Sequence, residues 1–95
     1  MFIISLNYIS EIKNIETHLE SHVNYLKEQY QLRNFIASGR KVPRTGGIIM
    51  SNLKNKTVIE ELIKQDPFYQ NNLAEYTITE FVPTMTSKEL EFLKK

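Results

Sequence analysis

Apolar and polar positions trade places with a period of two at the amino end. Phe2, Ile4, Leu6 and Tyr8 alternate with Ile3, Ser5, Asn7 and Ile9, which predicts a strand with one strongly apolar face. Over residues 10–30 the spacing lengthens to threes and fours through Ile12, Ile15, Leu19, Val23, Leu26 and Tyr30, with Glu and Lys between them, and this predicts a helix. Residues 35–38 and 48–51 are short and apolar, bounded by Asn34 and Gly39 and by Gly47, so both read as strands joined through residues 40–47. Thr57 with Glu60 forms a capping-box signature ahead of Val58, Ile59, Leu62 and Ile63, and Pro67 disfavours helix at Asp66, which bounds a second helix. Tyr76, Ile78 and Phe81, interleaved with Thr77 and Thr79, predict a last strand; Thr86 with Glu89 caps a short terminal helix.

The order βαββαβ specifies an α+β fold of ferredoxin-like type, a four-stranded antiparallel sheet with two helices on one face and a short C-terminal helix. A 95-residue chain then has nothing left with which to cover the second face of the sheet. Association through that face is the economical solution, and a homodimer is expected. Residues 1–95 are read as a single domain, large enough for one core but small for a deep private pocket.

Charge and composition remove several function classes. The formal charge is +1, and basic runs occur only at Arg40-Lys41 and Lys94-Lys95, so the chain lacks the electrostatic footprint of a nucleic-acid binder. With no cysteine, disulfides, thiolate nucleophiles and Cys-based zinc sites drop out. The apolar start Met1-Phe2-Ile3-Ile4 has no basic segment before it and is broken by Ser5 and Asn7. It reads as a strand rather than a signal, and no stretch reaches membrane-spanning length. A cytoplasmic protein without a membrane partner is the expectation.

Two pieces far apart in sequence carry the candidate chemistry. On a helical wheel, His22 falls roughly 50° from the centre of the first helix's apolar stripe, which lies near Leu19 and Leu26. Asp66-Pro67-Phe68 ends the second helix. An ionised carboxylate that reaches an imidazole fixes its tautomer and stabilises its cationic form, making a proton-transfer pair. Each residue also has a plainer role: His22 as a partly buried histidine bonded to a backbone carbonyl, Asp66 as the cap of a turn that accepts backbone N–H groups. His18, one turn before His22, lies at the solvated edge of the wheel. Two histidines four apart are no metal site without a third ligand, and the glutamate of helical zinc motifs is not next to His18, so neither metal nor cofactor is expected.

Four stretches taken in order are specific. They are residues 18–22 (His-Leu-Glu-Ser-His) with Leu26 a turn later, residues 35–39 (Phe-Ile-Ala-Ser-Gly), residues 43–49 (Pro-Arg-Thr-Gly-Gly-Ile-Ile) and residues 66–69 (Asp-Pro-Phe-Tyr). Together they resemble the YciI-like family of small dimeric α+β barrel proteins, from the first strand to about Pro83. The resemblance implies a ferredoxin-like protomer, a dimer, and a cleft where His22 and Asp66 form a catalytic dyad. Many members carry Pro where this chain has Glu20, shortly before the histidine. Pro is also frequent after the strand-ending glycine, where this chain has Arg40, a cation that would favour an anionic ligand.

A dyad of this kind suits isomerisation, elimination or hydrolysis of a small organic metabolite, aromatic or lactone-like. Proton abstraction also needs a group to hold the developing anion. The candidates are the backbone amides of Gly46 and Gly47, Arg44 and the Ser38 hydroxyl, beside Gly39 at the strand end. Gly46-Gly47 has a plainer use as a turn supplying positive φ angles, and Arg44 as a solvated charge. Phe68 and Tyr8 would wall the pocket. The alternative function is a non-catalytic ligand-binding or regulatory domain using the same cleft; a purely structural interaction module comes third.

Overall fold

The computed structural model describes all residues, 1–95. Strand β1 (Phe2–Tyr8) leads into helices α1 (Ile12–Thr17) and α2 (Leu19–Gln31), then β2 (Ala37–Arg40), β3 (Gly46–Ser51), α3 (Lys56–Ile63), α4 (Pro67–Gln70) and β4 (Ala74–Glu80). A 3-10 turn spans Lys88–Leu93. The four strands form one antiparallel sheet in the order β2-β3-β1-β4, so the ferredoxin-like arrangement expected from the periods is the one the chain adopts.

Parity along β1 decides the core. Phe2, Ile4 and Leu6 are buried with Ile49 of β3, and Ile15, Ile59, Leu62, Ile63 and Phe68 of the helices complete the cluster. Burying each of these large side chains contributes about 1.5–3 kcal/mol before entropy is counted. The opposite parity, Ile3 of β1 with Ile48 and Met50 of β3, faces away from the helices.

Several local expectations change. The helix expected over residues 10–30 is two helices that meet at His18 (φ −106°, ψ 6°). The buried residues of α2 are His22, Tyr25 and Gln29, with Leu26 half-buried against the core, while Leu19 and Val23 border a cavity and stay 37% exposed. Strands β2 and β3 run closer to their connection than residues 35–38 and 48–51 suggested. The connection shrinks to residues 41–45, closed by Lys41 N–H on the Gly46 carbonyl at 2.9 Å. Helix α3 is capped by Asn55, whose side chain accepts the Thr57 N–H at 2.8 Å, and not by Thr57. Asn is at least as good an N-cap, and it stands two residues nearer the strand. The terminal turn begins after Ser87 without a side-chain cap, so Thr86 does not serve there. Phe81 lies just beyond β4.

Two chain reversals deliver the site. After α2, Arg33 takes a left-handed conformation (φ 61°), while Asn34 N–H bonds the Gln29 carbonyl and Arg33 N–H that of Tyr30. After α4, Asn72 (φ 55°) does the same, with Leu73 N–H on the Phe68 carbonyl and Asn72 N–H on that of Tyr69. Both are Schellman closures. No helix is long and apolar enough to cross a membrane.

Candidate active site

Asp66 precedes a proline, which pushes its backbone into the extended region (φ −71°, ψ 125°) and ends the run of α3. The same conformation is that of a helix N-cap. Pro67 then occupies the first helical position of α4, where its missing N–H costs nothing. The Asp66 side chain is fully buried, and Oδ1 accepts the Phe68 N–H at 2.9 Å. Across the core, α2 presents His22, whose Nδ1 lies 2.7 Å from the same Oδ1. The plain reading of Asp66 as a cap and its reading as a histidine partner are therefore both satisfied by one oxygen.

The second carboxylate oxygen has a donor that sequence reasoning missed. Tyr76 Oη–H donates to Asp66 Oδ2 at 2.7 Å, reaching from β4, where it stands level with Leu6 of β1. Its helix-facing parity was readable from the strand pattern, but nothing in the sequence fixed which polar tip it would meet. Burial, and then the adjacent Asp66 charge, push the Tyr76 phenol well above its ordinary value of 10.0. Tyr25 is raised for the same reasons in the same order, and its hydroxyl donates to the Leu62 carbonyl at 2.6 Å. Both phenols thus stay protonated donors around the carboxylate.

Phe68 controls the histidine ring. The two rings stack 3.9 Å apart at an interplanar angle of 1°, and Tyr8 meets the edge of Phe68 at 6.1 Å. An ionised carboxylate only accepts hydrogen bonds, so in the Asp66 pair Nδ1 carries the proton and Nε2 holds the free lone pair. Nε2 has no hydrogen-bond partner in the chain and is not sealed off from solvent. His22 lines a cavity of about 180 Å³.

The cavity brings together most of the residues singled out from sequence. Tyr8, His22, Ser38, Gly39, Arg40, Gly46, Gly47 and Phe68 line it with Leu6, Leu19, Val23, Leu26, Ile48 and Ile49. Asp66 stands behind His22, outside the lining. Arg44 is not in the wall; it points to Glu16 at 3.3 Å, in an exposed pair. The Ser38 hydroxyl is bonded to that of Tyr30. Neither Gly46 nor Gly47 has a positive φ, so the expected turn role does not apply. Gly46 is required by close approach instead: a Cβ there would sit 1.7 Å from the Leu6 carbonyl oxygen. Both glycines lie within β3, which runs between β1 and β2. His18 is exposed and its Nδ1 lies 3.1 Å from the Asn14 carbonyl.

A family described as YCII-related domain matches residues 1–82. The chain belongs to this family. The match covers every strand of the YCII-related fold, the dyad and the cavity, and leaves out the segment that carries the 3-10 turn. Among solved structures, the 5-chloro-2-hydroxyhydroquinone dehydrochlorinase TftG of Burkholderia phenoliruptrix AC1100, in complex with 2,5-dihydroxybenzoquinone, aligns with a TM-score of 0.72. The alignment covers 94% of this chain and 98% of TftG at 12% identity. At that identity the likeness speaks for the fold. No curated protein matches the chain.

Proposed function

We propose that this YCII-related protein is a small-molecule enzyme in which His22 Nε2 exchanges a proton with a bound metabolite while Asp66 orients and electrostatically supports the ring. The observation that carries the reading is the arrangement of Asp66, buried and held by three donors, behind an imidazole that lines a cavity and whose other nitrogen has no partner in the chain. Elimination is the favoured reaction class. Nε2 takes a proton from a carbon or hydroxyl of the substrate, the released electron pair forms the new double bond, and the leaving group departs with its own bonding pair. The imidazolium then returns its proton to water. That the similarly folded TftG is named a dehydrochlorinase supports elimination over isomerisation or hydrolysis.

The test is halide release from 5-chloro-2-hydroxyhydroquinone and a panel of halogenated hydroxyaromatics. Turnover should fall by about two to four orders of magnitude in His22→Asn and in Asp66→Asn, with the fold retained by circular dichroism. Turnover that survives in His22→Asn would remove the reading. One observation favours a binder instead. The Ser38 hydroxyl is engaged with Tyr30 and Arg44 with Glu16, so two of the groups expected to hold a developing anion are occupied. A ligand bound in one-to-one ratio and recovered unchanged would decide for that alternative. The reading includes a homodimer through the outer sheet face, supported by Ile3, Ile48 and Met50 and by a shallow hollow beside Ala37 and Gly39. Light scattering of the wild type and of Met50→Glu checks it.

A further inference from the structure

Among the side chains that wall the cavity there is no carboxylate, and one carries a permanent charge: Arg40. The neighbouring cations are engaged elsewhere, Lys41 Nζ on Asn7 Oδ1 at 2.7 Å and Arg44 on Glu16 at 3.3 Å. Arg40 is not. The three ion pairs of the chain are His22–Asp66, Arg44–Glu16 and Lys64–Glu61. We propose that the cavity takes a small organic anion, its negative oxygen group held by the Arg40 guanidinium and its reacting part presented to His22. This deepens the enzyme reading above and rests on it for the role of His22.

The register explains how Arg40 reaches the site from an edge strand. Ser38 and Arg40 pair with Ile49 and Gly47, which pair in turn with Ile4 and Leu6, so Arg40 shares the helix-facing parity of the sheet. Directly opposite it, Gly47 has no side chain to stand between Arg40 and Leu6, the next residue across the sheet. Helix α2 supplies His22 from above. The rest of the wall is mostly apolar, with Leu6, Val23, Leu26 and Ile49. A guanidinium and a proton acceptor in one mostly apolar cavity describe a ring or short acyl skeleton bearing one anionic oxygen group. Carboxylates and acidic enols fit, because a planar guanidinium meets two oxygens side by side. Where proton removal builds charge on an enolate, the same cation steadies it.

The experiment titrates benzoate and its neutral isostere benzamide into the protein at about 0.15 M salt, where exposed charges are screened. Binding is followed by the His22 ring resonance, told apart from His18, the other histidine of the chain, with a His18→Asn variant. Benzoate should move the His22 signal and bind about tenfold more tightly than benzamide. Arg40→Gln should abolish that preference, Arg40→Lys should keep part of it, and Arg44→Gln should leave it whole. Equal affinities in the wild type, a preference that survives Arg40→Gln, or no movement of the His22 signal with either compound would overturn the proposal. Charge-selective binding by a protein that turns over none of the halogenated panel keeps this inference and removes the enzyme reading. Turnover undiminished by Arg40→Gln does the reverse.

Discussion

Tyr76→Phe is the sharpest probe of the network behind the histidine. The substitution keeps the ring, which packs 5.8 Å from Tyr69, and deletes the one donor on Asp66 Oδ2. A hydrogen bond to a charged group contributes about 1.5–3 kcal/mol, and an acceptor left buried without one bears the full desolvation cost. Asp66 is fully buried, so solvent does not step in, whereas a phenyl ring in place of a half-buried phenol works slightly the other way. The expected loss is about 2 kcal/mol. For a domain of this size each kcal/mol shifts Tm by about 4–8 °C, so the melt should fall by about 8–16 °C. Thermal denaturation followed by circular dichroism reads it near neutral pH. Tyr69→Phe is the control, since its exposed hydroxyl makes no side-chain bond, and it should stay within about 0.5 kcal/mol. In an Asp66→Ala background Tyr76→Phe should also cost under about 0.5 kcal/mol, because its partner is already gone. A loss below that level in the wild type, or an equal loss in both backgrounds, would refute the argument.

Three further outcomes can be checked. Arg33→Gly should raise stability by about 0.5–1 kcal/mol in a denaturant titration, because the left-handed Schellman position strains any residue with a Cβ. Gly46→Ala should cost more than about 3 kcal/mol and broaden or abolish the cooperative melt, since the clash at 1.7 Å is with backbone; Gly39→Ala, which meets open space, should be near neutral. In an alkaline titration read by tyrosinate absorbance, Tyr25 and Tyr76 should ionise only as the protein unfolds. Their pKa values are raised in the native state, so the stability they contribute is complete below the unfolded value of 10.0. It drains away as pH climbs above that.

The fold was legible because its signals are local and repeated. Alternation in residues 2–9, three-four spacing in residues 12–30 and the Asp-Pro stop each depend on near neighbours, and a one-residue slip of β1 would turn its whole apolar set to water. Boundaries were less legible. The break at His18 has no proline or glycine to announce it, and Asn55 and Thr57 are both competent caps, so packing chose between them. At the site, His22 and Asp66 could be paired by the family resemblance, whereas Tyr76 could not be attached to Asp66 without knowing the β1–β4 register. The burial along α2 departs from its hydropathy for a related reason. A wheel built on hydropathy places Leu19 and Leu26 inward and Leu26 does pack on the core, but a helix that borders a cavity leaves an apolar residue such as Leu19 at the rim and buries polar ones that find partners, as His22 and Gln29 do.

Asp66 shows why architecture and chemistry are hard to separate in so small a domain. One carboxylate oxygen starts α4 by taking the Phe68 N–H and aims His22 through Nδ1, and Phe68 in turn stacks on the imidazole. The cap, the ring platform and the histidine partner therefore form a closed loop in which each element fixes the next. Truncating Asp66 would release the helix start, tilt Phe68 and free His22 together, so a loss of activity would report no single role. The Tyr76 hydroxyl touches only the far oxygen of that loop and leaves the helix cap in place. It is thus the position from which the hold on the carboxylate can be loosened while the ring, its platform and the cavity keep their geometry.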